Sequence, residues 1–332
     1  MKVLLTGGLG YIGSHTAVEL LNRGHEIIVV DDLSNSKIEV KGKIEQITNK
    51  KFKFLKIDLK NYKKTESIFR KNKIDAIIHF AGYKAVGESV SKPVMYYENN
   101  IMSTLNLLKC MEKYEVNNLV FSSSATVYGT NEKMPLKEDF STGATNPYGR
   151  TKLFIEEILK DYSVANKNFN VAMLRYFNPV GAHESGLIGE DPNGIPNNLM
   201  PYITKVATGK LKELSIFGND YPTKDGTGVR DYIHVCDLAY GHVLALEKLN
   251  ENPKVFICNL GTGNGYSVLE MVTAFNKVNG DLVKFKFVDR RPGDAAICYA
   301  DTQKAEKELK FKAVHSLEDM CKTSYEFEKN NK

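Results

Sequence analysis

Short apolar segments and segments with helical periodicity alternate through the first half of the chain, and this alternation most constrains the fold. The predicted strands are residues 2–6, 26–31, 53–58, 75–81, 118–124 and 170–177. The predicted helices between them are residues 11–23, 62–71, 93–114 and a segment that begins after Asn146. Strands that alternate with helices predict a doubly wound α/β fold with a parallel sheet. Ligands then bind at the carboxyl ends of the strands.

A glycine-rich turn joins the first strand to the first helix. Residues 7–13 (GGLGYIG) satisfy G-x-x-G-x-x-G from Gly7 and G-x-G-x-x-G from Gly8. Such a turn lets the backbone approach a pyrophosphate, which faces the helix N-terminus. Asp31 and Asp32 follow about 20 residues later, where an acid bonds the adenosine ribose and repels a 2′-phosphate. The pattern predicts a Rossmann domain for NAD rather than NADP, with a surface acid pair as the alternative interpretation.

The composition changes after Asn178-Pro179, and we expect a second domain there. Residues 181–232 are rich in Gly, Pro and Asn, and mixed helices and strands follow to the end of the chain. We predict a Rossmann domain from residues 1–180 plus about 233–260, and a smaller mixed α/β substrate domain from residues 181–232 and 261–332. In the second half, helices are predicted at 197–208, 234–249 and from 317, with strands at 214–217 and 255–260. Residues 267–278, 283–288 and 302–309 are predicted to form a smaller mixed region.

Composition excludes several classes of protein. The 332 residues carry a net charge of +5, spread over lysine-rich helices without a nucleic-acid-reading motif, so we expect no nucleic-acid partner. No apolar run approaches the ~18 residues of a membrane span, and the early glycines do not suit a signal peptide. Five cysteines without a Cys-x-x-Cys pair suit reduced thiols in the cytoplasm and predict no metal site.

Residues 122–152 carry the candidate chemistry. A strand ends in the hydroxyls of Ser122 to Ser124, and a helix then places Tyr148 and Lys152 four residues apart on one face. Lowering a phenol pKa from about 10 to neutrality takes about 4 kcal/mol, and an ammonium about 6 Å away supplies nearly 3 kcal/mol. The helix N-terminus adds about 0.3–1 kcal/mol, so a second cation, such as a nicotinamide ring, completes the shift. Spacing alone proves little, because Tyr325 and Lys329 share it.

Three arginines in the second half could hold a diphosphate. Arg230, Arg290 and Arg291 lie near glycine turns, and guanidinium groups suit phosphate oxygens. Taken singly, each is also consistent with a surface ion pair. Asn178 and Asn198 offer amides, and Phe217 offers an aromatic face.

Long strings of residues then resemble the extended short-chain dehydrogenase/reductase family, over nearly the whole chain. Within that family the chain is similar to the enzymes that invert C4 of a UDP-hexose. The strings are residues 6–15 (TGGLGYIGSH), 79–89 (HFAGYKAVGES), 121–129 (FSSSATVYG), 175–179 (RYFNP), 189–202 (GEDPNGIPNNLMPY) and 217–234 (FGNDYPTKDGTGVRDYIH). The strings in the second half are much more specific than the glycine turn.

The resemblance implies an isomerase of galactose metabolism that interconverts UDP-galactose and UDP-glucose with bound NAD. Tyr148 would remove the C4 hydroxyl proton as hydride passes to NAD, Ser124 would bond the 4-oxygen, and Lys152 would hold the nicotinamide ribose. The implied cofactor-binding residues are Gly7, Gly10, Tyr11, Ile12, Gly13, Asp31, Asp32, Asn35, Ser36, Asp58, Leu59, Phe80, Ala81, Gly82, Lys84, Asn99, Ser122, Tyr148, Lys152 and Phe177. The implied substrate-binding residues are Asn178, Asn198, Leu199, Ser215, Phe217, Arg230, Arg291, Asp294 and Cys298. A homodimer is also implied.

Two other functions share this fold. A nucleotide-sugar 4,6-dehydratase carries an Asp-Glu pair after the active-site hydroxyl, whereas Ala125 and Thr126 follow Ser124 in this chain. A non-catalytic protein that senses NAD would not need Tyr148 and Lys152.

Position 298 bears on substrate range. Cys298 lies where strict glucose/galactose enzymes resemble one another in a bulky Tyr, and where members that accept N-acetylated sugars have a small residue. We therefore expect activity on UDP-N-acetylglucosamine and UDP-N-acetylgalactosamine. Tyr299 is the competing candidate, because a slip of one residue reverses the side of an extended segment on which a side chain lies.

Overall fold

The computed structural model describes residues 1–131, 133–192, 196, 198–291 and 294–331. The chain forms two compact units. The first contains Met1–Gly129, Ser141–Tyr176 and Ala239–Cys258, and the second contains Thr130–Phe140, Phe177–Leu238 and Asn259–Lys332.

Strands and helices alternate along most of the chain. The strands are β1 (Lys2–Thr6), β2 (Glu26–Asp31), β3 (Lys53–Lys56), β4 (Ala76–His79), β5 (Asn118–Ser122), β6 (Asn170–Tyr176), β7 (Asn178–Val180), β8 (Leu214–Phe217), β9 (Val229–His234), β10 (Val255–Leu260), β11 (Gly265–Ser267), β12 (Phe285–Val288) and β13 (Ile297–Cys298). The helices are α1 (Tyr11–Asn22), α2 (Glu39–Thr48), α3 (Tyr62–Lys71), α4 (Val86–Ser91), α5 (Pro93–Lys113), α6 (Pro147–Ala165), α7 (Leu199–Ala207), α8 (Val235–Lys248), α9 (Val268–Asn279) and α10 (Leu317–Asn330).

A seven-stranded sheet forms the centre of the first unit, in the order β10-β6-β5-β4-β1-β2-β3. Strands β1 to β6 run parallel. The central strands are continuous runs of Val, Ile and Leu, because helices cover both faces of such a sheet. The strand order reverses between β1 and β4, and dinucleotides bind at that switch point in doubly wound folds.

Each unit contains an apolar core of its own. In the first, Leu4, Ile77 and Phe121 of the sheet pack against residues of α3, α5 and α6 such as Leu107 and Leu159. In the second, Ile216 and Tyr232 pack with residues of α7, α9 and α10. There β9 lies between β11 and β13 and also pairs with β7, while β8 pairs with β12.

The predicted α/β fold is confirmed, and most predicted elements lie within two or three residues of the observed ones. The sequence missed α2, α4, β7, β9, β11 and β13. Strand β9 was missed because Arg230 and Asp231 interrupt its apolar pattern. Asp231 is nevertheless buried, since it accepts hydrogen bonds from the backbone N–H groups of Thr262, Gly263 and Ala300 at 2.8–3.1 Å.

Residues 130–140 lie in the second unit, whereas the sequence placed them in the first domain. Leu136 forms a bridge with Ala300, and its carbonyl accepts a hydrogen bond from Asn259 Nδ2 at 2.8 Å. Within the region predicted as mixed, Ala305–Leu309 form a short π-helical turn. Within the described part of the chain, no helix combines the length and apolar character needed to cross a bilayer.

Candidate active site

The glycine positions in the turn between β1 and α1 leave no room for a side chain. Gly7 has a φ of +66°, and a Cβ on Gly13 would lie 2.3 Å from the Gly7 carbonyl oxygen. Gly10 is the N-cap of α1, and the structure shows no side chain capping that end within the described residues. The first-turn N–H groups therefore face outward with the positive end of the helix dipole, which suits a pyrophosphate.

The carboxylate of Asp31 lies beside this turn, at the end of β2. Its Oδ2 accepts a hydrogen bond from Leu9 N at 3.1 Å, and its Oδ1 accepts one from Ser36 Oγ at 2.7 Å. Burial raises the pKa of Asp31, and these hydrogen bonds act in the opposite direction. Asp32 instead accepts a hydrogen bond from Ser34 N at 2.8 Å, so Asp31 is the acid next to the glycine turn.

The other implied cofactor residues of the first unit lie at or near the same sheet edge. A Cβ on Gly7 would lie 2.8 Å from Ala81 N, so the turns after β1 and β4 are in close contact. Tyr11 and Ile12 begin α1, Asn35 follows β2, Asp58 and Leu59 follow β3, Phe80, Gly82 and Lys84 follow β4, and Asn99 lies in α5. Phe177 is the exception, because it begins the second segment of the second unit.

Three features together form a binding site suited to a dinucleotide. They are glycines without space for a Cβ, uncapped N–H groups and a neighbouring acid. These residues of the structure fit NAD. Asp31 would meet the ribose, and the first turn of α1 would meet the pyrophosphate.

Tyr148 is held in the first turn of α6. Asn146 caps this helix by accepting a hydrogen bond from Gly149 N at 2.8 Å, and Pro147 occupies the first helical position. The buried hydroxyl of Tyr148 is in hydrogen-bonding contact with Ser124 and Tyr176. Ser124 Oγ accepts a hydrogen bond from Thr126 Oγ1 at 2.9 Å, which leaves its own proton free to be donated.

Lys152 lies one turn further along α6, and its ammonium is directed at the end of β5. Its Nζ donates a hydrogen bond to the Ser122 carbonyl oxygen at 2.8 Å and lies 4.9 Å from the centre of the Phe121 ring. Burial lowers the pKa of Lys152 to about 8, although the Glu156 carboxylate acts against this.

Burial raises the pKa of Tyr148, as does the neighbouring phenol of Tyr176, while Ser124 and the ammonium of Lys84 lower it. The sequence assigned the main lowering effect to Lys152. In the structure, Lys84 is a cation that lowers the pKa of this phenol, and burial outweighs it.

Sequence reasoning missed Tyr176, Glu156 and Arg175 in this site. Tyr176 ends β6, and its phenol is adjacent to Tyr148. Glu156 lies four residues after Lys152, so extending the face of Tyr148 and Lys152 by one helical turn would have found it. Arg175 was visible only as a charge within an apolar strand.

The second unit contains the residues implied in substrate binding. Arg230 forms an ion pair with Asp294, and the Arg291 guanidinium lies 3.9 Å from the centre of the Phe217 ring. Asn198 is the N-cap of α7, and its Nδ2 donates to Glu190 Oε1 at 2.6 Å. The remaining implied residues are Asn178 in β7, Leu199 in the first turn of α7, and Ser215 in β8.

Cys298 lies opposite Arg230 in the register of β13 and β9. Residues directly opposite on paired strands share a face of the sheet, so Cys298 lies on the face of Arg230. Burial raises the pKa of its thiol to about 11. The ring of the next residue, Tyr299, lies against Gly265 of β11 instead.

Comparisons with known proteins agree with this geometry. A protein-family model described as GDP-mannose 4,6 dehydratase matches residues 4–324. The UDP-glucose 4-epimerase of Bacillus subtilis is 60% identical over 331 residues, covering 100% of this chain and 98% of that protein.

Solved structures show the same similarity. A UDP-glucose 4-epimerase from Stenotrophomonas maltophila, crystallised with NAD and formylated UDP-arabinopyranose, superposes with a TM-score of 0.98 and 49% identity, covering 100% of this chain and 98% of that one. The UDP-Glc/GlcNAc 4-epimerase of Campylobacter jejuni has a TM-score of 0.87 and 38% identity, covering 99% of each chain. The chain therefore belongs to the UDP-glucose 4-epimerase family.

Proposed function

We propose that this protein is an NAD-dependent UDP-glucose 4-epimerase, an isomerase that interconverts UDP-galactose and UDP-glucose. The observation that carries the proposal lies within the first unit. Tyr148, Ser124 and Lys152 follow β5, while the glycine turn and Asp31 follow β1 and β2 of the same sheet. A buried phenol beside a hydroxyl donor suits proton transfer at a sugar hydroxyl.

Each side chain has a role in this chemistry. Tyr148 accepts the proton of the C4 hydroxyl and later returns it to the oxygen on C4 after the configuration of that carbon has been inverted. It therefore acts first as base and then as acid. Ser124 donates a hydrogen bond to the sugar oxygen, since Thr126 already supplies a proton to its Oγ. Bound NAD supplies a hydride acceptor and donor for C4, together with a positive charge that offsets the burial of Tyr148.

Residues of the second unit hold the uridine diphosphate. The guanidinium groups of Arg230 and Arg291 are suited to the two phosphates, and Phe217 offers an apolar face beside Arg291.

Elimination of water, the dehydratase reaction, needs an acid next to the active-site hydroxyl. The turn after Ser124 is Ala125–Tyr128 (ATVY), and Thr126 uses its hydroxyl to contact Ser124. This turn supports epimerisation over elimination, although the matching family model carries a dehydratase name.

The test is to mix purified protein, without added cofactor, with UDP-galactose and to analyse the sugar nucleotides. Formation of UDP-glucose is expected. A 4-keto-6-deoxy product would instead indicate a dehydratase, and unchanged UDP-galactose would indicate a protein that binds nucleotide without turnover. Either of these results contradicts the proposal.

We propose further that the enzyme accepts N-acetylated UDP-hexoses. A bulky ring at position 298 would crowd the face of β9 that carries Arg230, whereas the thiol of Cys298 leaves space for an N-acetyl group. The similarity to the UDP-Glc/GlcNAc 4-epimerase of Campylobacter jejuni supports this extension.

We also propose a cytoplasmic homodimer. No disulfide joins any of the five cysteines, which suits a reducing compartment. Val94 and Met102 of α5 and Phe154 of α6 are exposed, and the ring of Phe154 stacks on Tyr97 at 6.1 Å. An apolar face of this kind suits a second copy of the chain. Phe154→Asp should give a monomer in sedimentation, whereas Val314→Asp, at an exposed valine of the second unit, should not.

A further inference from the structure

Three consecutive serines meet three residues that are spaced one turn apart on α6. Ser124 contacts the hydroxyl of Tyr148, the Ser122 carbonyl accepts a hydrogen bond from Lys152, and Ser123 Oγ donates one to Glu156 Oε1 at 2.5 Å. Residues 148, 152 and 156 share one helix face. The proposed chemistry uses the first two of these contacts and leaves the third without a role.

The third contact belongs to a buried ion pair between α6 and β6. Arg175 donates from Nε to Glu156 Oε1 at 3.1 Å and from Nη2 to Glu156 Oε2 at 2.7 Å. Glu156 and Ser123 are 0% exposed and Arg175 is 2% exposed. Glu156 therefore joins the middle serine to a neighbouring strand through a rigid, two-pronged contact.

The same arginine also holds the chain on the other side of Ser124. Its guanidinium lies 4.8 Å from the centre of the Tyr128 ring and hydrogen-bonds to the Tyr128 side chain. Tyr128 ends the short helical turn Ala125–Tyr128 that follows Ser124. Ser124 thus lies between two points, Ser123 and Tyr128, that the Glu156–Arg175 pair anchors.

Charge connects Glu156 to Lys152 as well. The carboxylate lies one turn from the ammonium and raises the pKa of Lys152, against the effect of burial. The titratable and charged groups around this region come from α5, α6, α8, β4, β6, the segment after β4 and the turn after Ser124. They are Tyr96 of α5, Tyr148, Lys152 and Glu156 of α6, His242 of α8, His79 of β4, Arg175 and Tyr176 of β6, Lys84 after β4, and Tyr128 of the turn.

We propose that Glu156 is a positioning residue for the epimerase reaction. Paired with Arg175, it fixes Ser123 so that Ser124 reaches the phenol of Tyr148 and the Ser122 carbonyl reaches Lys152, and its charge keeps Lys152 protonated. This inference rests on the proposed function, since turnover is one of its readouts.

The first test compares Glu156→Gln with Glu157→Gln, the same change one residue away, where Glu157 pairs with Lys160 at the surface. Glu156→Gln should lower kcat about 10²-fold. The decline of kcat at alkaline pH, which we call the alkaline limb, should move to lower pH by about one unit in this variant. The reason is that Lys152 loses a nearby carboxylate, which lowers its pKa. Glu157→Gln should keep the wild-type rate and profile. An alkaline limb at the wild-type position in Glu156→Gln would overturn the charge role.

Ser123→Ala separates positioning from charge. It keeps the carboxylate and removes only the hydrogen bond, so kcat should fall while the pH profile stays in place. Full turnover in Ser123→Ala would contradict the positioning role.

A double variant separates positioning from simple support of the fold. Glu156→Leu with Arg175→Met removes both charges and keeps apolar volume, a replacement that buried ion pairs often tolerate. We expect a melting temperature near that of the wild type and a kcat about 10²-fold lower. A folded double variant with wild-type turnover would show that the pair only supports the fold, and would sink the inference.

The ultraviolet tyrosinate band supplies a readout that does not depend on turnover. The Tyr148 phenolate is measured as the difference between a protein with Tyr148 and its Tyr148→Phe partner. In protein without substrate, the double variant should shift this titration to higher pH, because Ser124 no longer donates to the phenol and so no longer lowers the pKa of Tyr148. If the wild type itself fails to convert UDP-galactose, the proposed function fails. The phenolate titration then still tests Glu156.

Discussion

The Nζ atom of Lys152 lies 2.8 Å from the carbonyl oxygen of Ser122 and donates a hydrogen bond to it. The lysine is therefore anchored to the end of β5, with its charge buried among groups of the first unit. Burial lowers the pKa of Lys152 to about 8, so the ammonium is present below that pH and is lost above it.

We expect turnover of UDP-galactose to decline above about pH 8 as Lys152 loses its proton. In an unfolded chain a lysine keeps its proton to about 10.5, so the unfolded state binds more protons between these values. The free energy of unfolding then rises with pH across this window. Loss of turnover there would therefore not reflect an effect of Lys152 on folding.

A pH profile of kcat in the wild type and in Lys152→Arg checks this prediction. The guanidinium stays charged throughout, so the variant should be slower but should lack the decline above pH 8. A decline in the variant at the wild-type pH would assign the alkaline limb to another group.

Replacement of Tyr148 by Phe should lower kcat by about 10²–10⁴-fold, because it removes the group that accepts and returns the C4 proton. The packing of the buried ring should be kept, so the melting temperature should change little. The measurement is steady-state turnover of UDP-galactose.

Tyr325→Phe is a matched control, since Tyr325 has the same spacing to Lys329, whose ammonium lies 4.6 Å from the ring centre. Full turnover in this control is expected. Undiminished turnover in Tyr148→Phe would remove the central residue of the proposed mechanism.

Much of the fold and of this site could be predicted from the sequence, because the relevant signals are local. Central strands such as Val3–Leu5 and Ile77–Ile78 are uninterrupted apolar runs, and the cap at Asn146 lies next to the helix that it starts. The spacing of Tyr148 and Lys152 is likewise set by one turn of helix.

The remainder depends on partners that are distant in the sequence. Asp231 is acceptable in a buried strand only because N–H groups more than 30 residues away bind it. Arg175 is neutralised by Glu156, which lies 19 residues earlier. The hydrogen bond from Lys152 to the Ser122 carbonyl and the lowering of the Tyr148 pKa by Lys84 also depend on packing, which the periodicity of the sequence does not encode.

Arg291 should matter for substrate affinity more than its neighbour Arg290. Its guanidinium lies over Phe217, whereas Arg290 donates from Nε to Asp220 Oδ1 at 2.7 Å and lies 4.1 Å from the centre of the Tyr221 ring. Arg291→Lys should raise KM for UDP-galactose about 10-fold or more, because the planar fork and its charge-assisted hydrogen bonds are lost. Arg290→Lys is the control. Equal KM values for the two variants would argue against a substrate role for Arg291.

Cys298→Tyr should abolish turnover of UDP-N-acetylgalactosamine while largely keeping turnover of UDP-galactose. The ring would fill space on the face of β9 that carries Arg230, and only the N-acetylated sugar needs that space. The ratio of kcat/KM for the two substrates measures the effect.

Cys298→Ser keeps a small side chain and should leave the ratio unchanged. A wild type without detectable activity on UDP-N-acetylgalactosamine would refute the wider substrate range directly.

His79 should make the protein sensitive to acid. Thr104 Oγ1 donates to the Asn100 carbonyl, so it accepts at 3.0 Å from His79 Nε2, and Nδ1 accepts from Thr6 Oγ1 at 2.7 Å. This ring is neutral, and burial lowers the pKa of His79 from 6.5 to about 3. Between these values the unfolded chain binds the extra proton, so the free energy of unfolding falls as the pH drops from 6.5 towards 3.

At about 1.36 kcal/mol per pH unit the full loss approaches about 5 kcal/mol, a large part of the stability of a typical protein. Urea unfolding at a series of pH values measures it. His79→Gln cannot take up this proton, so its free energy of unfolding should fall less steeply between pH 6.5 and 3, although the change lowers stability at neutral pH. His315 has the opposite sign, because its hydrogen bond to Asp237 raises its pKa, so its contribution is present below pH 6.5 and is lost as the pH rises. His315→Gln should therefore change the pH dependence of the free energy of unfolding only above pH 6.5, and should leave its slope below pH 6.5 unchanged. If the free energy of unfolding fell with the same slope below pH 6.5 in His79→Gln and in the wild type, other groups would control acid unfolding.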